Sequence, residues 1–83
     1  MISLNVGEAV KERILQLCRE RDISVNKLSS MSGVTQSTVN NIVSGRNNSA
    51  TVSTIKKLCD GLGITIEEFF SDELFRGLEQ EIK

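Results

Sequence analysis

From Ser24 to Ser44 the chain reads SVNKLSSMSGVTQSTVNNIVS, two short runs of helical apolar spacing separated by one glycine. This segment restricts the fold more than any other part of the 83 residues. Ser24 is a favourable helix N-cap, and the run it opens, about 25–32, carries Leu28 and the small Ser29 inward. Gly33 can take the left-handed conformation that a sharp turn needs. Val34 then turns inward, and Thr35 caps a second run over about 36–44, closed by Gly45. Two helices joined by so short a turn cannot bury their own apolar faces. Other helices must receive them.

The rest of the sequence supplies those helices. No proline interrupts the chain, and no alternating β pattern runs for more than a few residues. A first helix starts at Asn5, with Glu8 placed as in a capping box, and runs to about Arg21. Its apolar stripe is Val10, Ile14, Leu17 and Cys18, the i, i+4, i+7, i+8 spacing of one helical face. Asp22 and Ile23 connect it onward, with Ile23 folding back onto the core. After a polar loop, RNNSA, a fourth helix is capped by Thr51 and runs to about Leu62, with Val52, Ile55, Leu58, Cys59 and Leu62 expected inside. Gly63 ends it, and Thr65 with Glu68 makes a second capping box for a short fifth helix bearing Ile66, Phe69 and Phe70. The expected fold class is all-α, a compact five-helix bundle over residues 1–71. Residues 72–83 form a tail able to add a helix from Asp72, with Leu74, Phe75, Leu78 and Ile82 on one side. Gly77 weakens that helix by about 1 kcal/mol. Such a stripe needs a cover, either the domain's own surface or a second subunit.

Composition removes several function classes. A chain of 83 residues has no room for a second core or a large catalytic cleft. No apolar run exceeds three residues, so no membrane contact is expected. The start, MISLNVGEAVKER, lacks a basic region leading into an apolar run, and a cytoplasmic location is expected. Histidine is absent and the two cysteines, Cys18 and Cys59, fall on apolar helical faces. They cannot complete a four-ligand zinc site and read as small buried hydrophobes, with a disulfide across the core as the alternative. No metal or cofactor is expected. The acidic pairs Glu67/Glu68 and Asp72/Glu73 are adjacent and point apart on a helix, and no histidine is present to activate a cysteine. The chain is therefore not expected to be an enzyme.

The net charge of −1 divides unevenly along the chain. Residues 1–63 hold eight Lys and Arg against five acids, a balance of +3, while residues 64–83 hold two against six, a balance of −4. A basic front and an acidic back follow.

Hinged helices of this kind make a helix-turn-helix, whose second helix lies in the DNA major groove. From about Ile14 to Phe70 the chain also resembles the phage-repressor/Cro-like (XRE-type) helix-turn-helix family. The resemblance is carried by DISVNKLSSMSGVTQSTVNNIVSGR, then TVSTIKKLCDGLG, then ITIEEFF, in the family's order and spacing. It implies a lambda-repressor-like bundle that binds double-stranded DNA. Three departures stand out. Many members pair a basic residue late in the first helix with an acid late in the third, where this chain has Cys18 and Val43. Apolar replacement of a buried ion pair is often neutral or stabilising, so the fold is retained. The Gln that often follows the cap of the second helix is Val25, which removes a phosphate contact, and the RNNSAT loop lacks the usual proline.

At about 100° per residue, Val39 and Ile42 of the third helix point to the core, while Ser37, Asn40, Asn41 and Ser44 point away. Gln36, Thr38 and Val43 lie on the borders. Amides and hydroxyls are mediocre helix formers, so propensity does not explain this face. Base contacts are expected from Gln36, Ser37, Thr38, Asn40 and Asn41. Phosphate contacts are expected from Ser24, Val25, Lys27, Ser44, Arg46, Asn47 and Asn48. Lys56 and Lys57 read as solvated surface, and Phe70, Leu74, Phe75 and Leu78 are candidates for a homodimer contact. The function expected is sequence-specific binding of double-stranded DNA by a dimeric, repressor-like regulator of bacterial or phage type. The alternative is an antitoxin-like module whose tail holds a protein partner while its front binds DNA.

Overall fold

Asn5 starts the first helix by the chemistry its spacing to Glu8 suggests. Its side chain accepts from the Glu8 N–H at 2.8 Å, and the Glu8 carboxylate accepts from the Asn5 N–H at 3.0 Å. The computed structural model describes residues 4–45 and 50–82. Its helices are α1 (Val6–Glu20), α2 (Val25–Ser32), α3 (Gln36–Val43), α4 (Val52–Leu62) and α5 (Ile66–Phe70), followed by a single 3-10 turn, Glu73–Phe75. No strand occurs among the described residues. The bounds lie within about a residue of those that capping and periodicity predict, and Thr65 with Glu68 closes the second capping box. Asp22, at φ 53, is the non-glycine residue in left-handed conformation, and it lets the Ile23 N–H return to the Cys18 carbonyl at 3.0 Å.

Every helix contributes to one core. Ile14 of α1, Leu28 of α2, Val39 of α3, Leu58 and Cys59 of α4 and Phe69 of α5 are sealed from solvent. Ile23, Val25, Val43 and Ile66 pack against them half-buried. Both cysteines are free and buried, and burial pushes each thiol above its ordinary range. They are core hydrophobes and not a cross-link.

Two expectations fail. Val52, placed inside by the helical stripe, is 72% exposed at the first position of α4, while Ile55, one turn on, is buried. The tail keeps only its first turn as helix. Asp72 caps that turn by accepting from the Leu74 N–H at 3.0 Å, Arg76 is extended, and Gly77 takes φ 67. The Glu79 N–H donates to the Leu4 carbonyl at 3.0 Å, so the chain runs back along the start of α1. Leu74, Phe75 and Leu78 become half-buried on the domain itself, and Ile82 is left 89% exposed.

A polar joint holds the back of the bundle. Arg13, with its side chain 11% exposed, donates Nε to the Phe69 carbonyl and Nη2 to the Glu68 carbonyl, both at 2.8 Å. Its Nη1 donates to Gln16 Oε1 at 2.7 Å and faces Asp72 at 3.4 Å. The last carbonyls of a helix lack partners within it, and a guanidinium supplies several donors in one plane. Arg13 thereby ends α5 and anchors the tail.

Helices α2 and α4 approach closely at Gly61, where a β-carbon would meet Ser32 Oγ first. A β-carbon there would stand 3.0 Å from Ser32 Cα and 3.1 Å from Ser32 Cβ, closer than side chains settle. The buried Ser32 Oγ has no hydrogen-bond partner among the described residues. Gly61→Ala should therefore overpack this seam and lower stability by about 1–3 kcal/mol, although alanine is the better helix former. A denaturant midpoint equal to the parent's would show that the helices can part without strain.

Candidate nucleic-acid interface

The turn between α2 and α3 fixes where α3 points. Gly33 sits at φ 67, ψ 21, and its N–H donates to the Ser29 carbonyl. The Val34 N–H reaches the same carbonyl at 3.3 Å, while the buried Ser29 hydroxyl donates to the Val34 carbonyl. Position 29 thus needs a residue that is both small and a donor. Sequence reading gave Ser29 for its size alone, and the hydroxyl's second role has no periodic signal.

Thr35 caps α3, its Oγ1 accepting from the Thr38 N–H at 3.2 Å and sharing a hydrogen bond with Thr38 Oγ1 at 2.9 Å. Val39 and Ile42 bury one side of α3. On the other side Gln36, Ser37, Thr38, Asn40 and Ser44 are exposed, and Asn41 is half-buried. All five expected base-reading residues lie on α3, with the Thr38 hydroxyl already engaged by Thr35. Ser44 donates to the Asn41 carbonyl at 3.3 Å.

The expected phosphate-contacting residues divide. Ser24 is exposed, with Oγ accepting from the Lys27 N–H at 3.0 Å, and Lys27 is exposed with no salt bridge among the described residues. The Val25 side chain packs on the core, which leaves its backbone N–H in the first turn of α2 as the group to offer. Arg46, Asn47 and Asn48 lie outside the described residues. Of the dimer candidates, Phe70 and Phe75 join Phe69 in an aromatic cluster, with ring centroids 4.8 Å apart for Phe70–Phe75 and 4.9 Å for Phe69–Phe70, both edge-on. Leu74 and Leu78 are half-buried.

Charge is distributed by helix end. The first turns of α2, α3 and α4 carry no acid, whereas α1 carries Glu8 and α5 carries Glu67 and Glu68. Where α1 and α5 use a glutamate to close the cap, α3 and α4 use a second threonine, Thr38 after Thr35 and Thr54 after Thr51. A helix N-terminus carries partial positive charge, and a carboxylate there neutralises it. Three N-termini are therefore left available to anions. The signal was present in the sequence as the third residue of each helix. Three cations elsewhere are paired: Lys56 with Asp60, which raises the Lys56 pKa chiefly through their hydrogen bond, Arg76 with Glu73, and Arg13 with Asp72.

A glycine-hinged pair with an amide- and hydroxyl-bearing second helix, seated on three further helices, defines a helix-turn-helix domain. Comparison with known proteins agrees. A model of the Cro/C1-type HTH DNA-binding domain matches residues 13–74, close to the span of the sequence resemblance. The crystal structure of the prophage Lp1 protein 11 is similar to this chain with a TM-score of 0.78 and 33% identity, over 88% of this chain and 96% of that one. A search of curated protein sequences gives no match. The chain belongs to the Cro/C1-type HTH DNA-binding domain family and is, at that level, a DNA-binding transcription regulator. Among the described residues no helix is long and apolar enough to cross a membrane.

The turn and the face should respond oppositely to mutation. Gly33→Val should destabilise by about 1–3 kcal/mol through backbone strain, since open space surrounds the position and no clash contributes. Gln36→Ala and Asn40→Ala should leave the unfolding free energy within about 0.5 kcal/mol of the parent, because neither side chain supports the fold. Large losses at 36 or 40 would mark them as fold residues.

Proposed function

We propose that the chain binds double-stranded DNA sequence-specifically and acts as a dimeric, repressor-like transcriptional regulator, with α3 in the major groove. The observation that carries this reading is the exposed polar face of α3, held at a fixed angle by Val39 and Ile42 and closed against α2 by the Gly33 turn. Ser24, the Val25 N–H and Lys27 approach one stretch of backbone, and Ser44, Arg46, Asn47 and Asn48 approach another. The acid-free N-termini of α2 and α3 support the same orientation, because they attract phosphate.

Binding should weaken with salt, at a slope of about −0.9 per phosphate contact on logarithmic axes. Arg46→Ala should weaken binding to all sequences alike and flatten that slope by about 1. An unchanged slope would remove Arg46 from the contacts.

No Arg or Lys lies between Gln36 and Ser44, so the commonest guanine contact, a basic side chain on O6 and N7, is missing from α3. Amides match the N7 acceptor and N6 donor of adenine, and a threonine methyl suits the thymine methyl. Selection from random duplexes should yield a palindrome that is A·T-rich at the contacted positions. Its half-sites should lie about one helical turn apart, roughly 34 Å. Gln36→Ala and Asn41→Ala should each lose about 1–3 kcal/mol of discrimination at separate positions of the site. A consensus dominated by G·C pairs there would overturn the assignment of these residues as readers.

A further inference from the structure

Ser29 lies in the middle of α2 and is 4% exposed, and its hydroxyl reaches out of that helix and across the turn to the Val34 carbonyl. For size alone, alanine would fit the same place and would form the better helix. What the hydroxyl adds is direction. The Val34 carbonyl belongs to the peptide group that leads into Thr35, the cap of α3, which sits at φ −64 and ψ 149. Holding that carbonyl therefore sets the angle at which the first turn of α3 starts. Apolar contact is non-directional and cannot do this by itself. Val39 and Ile42 pin the middle and end of α3 to the core, whereas Gln36, Ser37 and Thr38 in its first turn are all exposed.

We infer that the Ser29 hydroxyl is a positioning group for base recognition: through the Val34 carbonyl it aims the first turn of α3, and so sets the specificity of Gln36 and Ser37. The inference rests on the DNA reading proposed above and adds a buried residue to the exposed ones named there. The lever is short but sufficient. Val34 is buried with Ser29, and a buried acceptor that loses its donor is costly, so without the hydroxyl this peptide group turns toward water. Helix α3 then swings about its two pins. Asn41 lies between Val39 and Ile42 and hardly moves. Gln36 lies three residues before Val39, about 4.5 Å along the axis at about 1.5 Å per residue. A swing of about 10° displaces it by about 0.8 Å, beyond the roughly 0.5 Å within which recognition groups must be held. In a helix-turn-helix the N-terminal residues of the second helix are the ones brought to base edges, so the loosened end is the reading end.

The test compares Ser29→Ala, which keeps the size and removes the donor, with Ile66→Ala, which thins the core beside α5 and leaves the turn intact. Both are measured in the full chain, at a temperature where each is fully folded. The duplexes are the one that the parent selects and versions of it changed at the base pairs that Gln36→Ala and Asn41→Ala identify. Ser29→Ala should lose about tenfold of the discrimination at the Gln36 base pair and less than about twofold at the Asn41 base pair. Ile66→Ala should keep both, since a loss of stability alone moves neither ratio in folded protein. In the free protein, residual dipolar couplings of the first-turn amides of α3, referred to α1, should show a rotation of about 10° or more in Ser29→Ala and none in Ile66→Ala. If Ser29→Ala does not fold, Ser29→Cys, a weaker donor of similar size, takes its place with the same expected order of losses. Discrimination kept at the Gln36 base pair, equal losses at the two positions, or an unrotated first turn would each overturn this inference alone. A parent protein that prefers no base pair at either position would overturn the DNA reading and this inference together.

Discussion

An eight-residue helix does not persist in water by its own hydrogen bonds, and both α2 and α3 have that length. Their positions come from the seam between α2 and α4, where Gly61 lets the backbone of Ser32 approach as closely as a β-carbon would forbid. Once α2 is seated there, Leu28 enters the core and Gly33, in left-handed conformation, falls where the chain turns into α3. The direction of α3 then follows from a left-handed glycine and three hydrogen bonds around Ser29. The aim of the polar face is thus inherited, step by step, from a contact on the far side of α2.

The back of the domain is held by different physics. There three of the six carboxylates that make the C-terminal part acidic hold contacts: Glu68 closes the cap of α5, Asp72 caps the following turn and faces Arg13, and Glu73 pairs with Arg76 at the surface. Charge-assisted bonds from Arg13 substitute for the apolar area that a five-residue helix cannot bury. The uneven charge of the sequence therefore reflects two modes of construction as well as two surfaces. Apolar packing and threonine caps build the front, and ionic caps and a guanidinium joint build the back.

What could be read from the sequence follows from how local each cause is. Caps act over three residues, so Asn5 with Glu8, Thr65 with Glu68, and Gly33 marked their helix ends correctly. Helical periodicity assigned the buried and exposed sides of α3 because Val39 and Ile42 leave little choice, while Asn41 lies nearer the core than that count suggested. Periodicity cannot report which members of a stripe find a neighbour, and Val52 shares the stripe of Ile55 and Leu62 while staying exposed. Residues 72–82 failed for the opposite reason. Their spacing suits a helix, but the contacts that decide them, Arg13 to Asp72 and Glu79 to Leu4, span most of the chain. Arg13 itself flanks the apolar stripe of α1 and looks like any surface cation until α5 is placed beside it.

The threonine caps of α3 and α4 have a further consequence. A glutamate at position 38 or 54 would complete the reciprocal cap that α1 and α5 already possess and would answer the helix dipole, a gain of a few tenths to about 1 kcal/mol. Stability alone would favour it. At position 38 the same carboxylate would stand on the face proposed to meet DNA, and repel its phosphates. Engineering that ranks surface positions by stability would choose position 38 among its first substitutions, and under the proposed function would weaken DNA binding while making the protein more robust. Conversely, in a helical domain of unknown partner, the helix ends whose caps stop short of an available carboxylate point to the side that faces an anion.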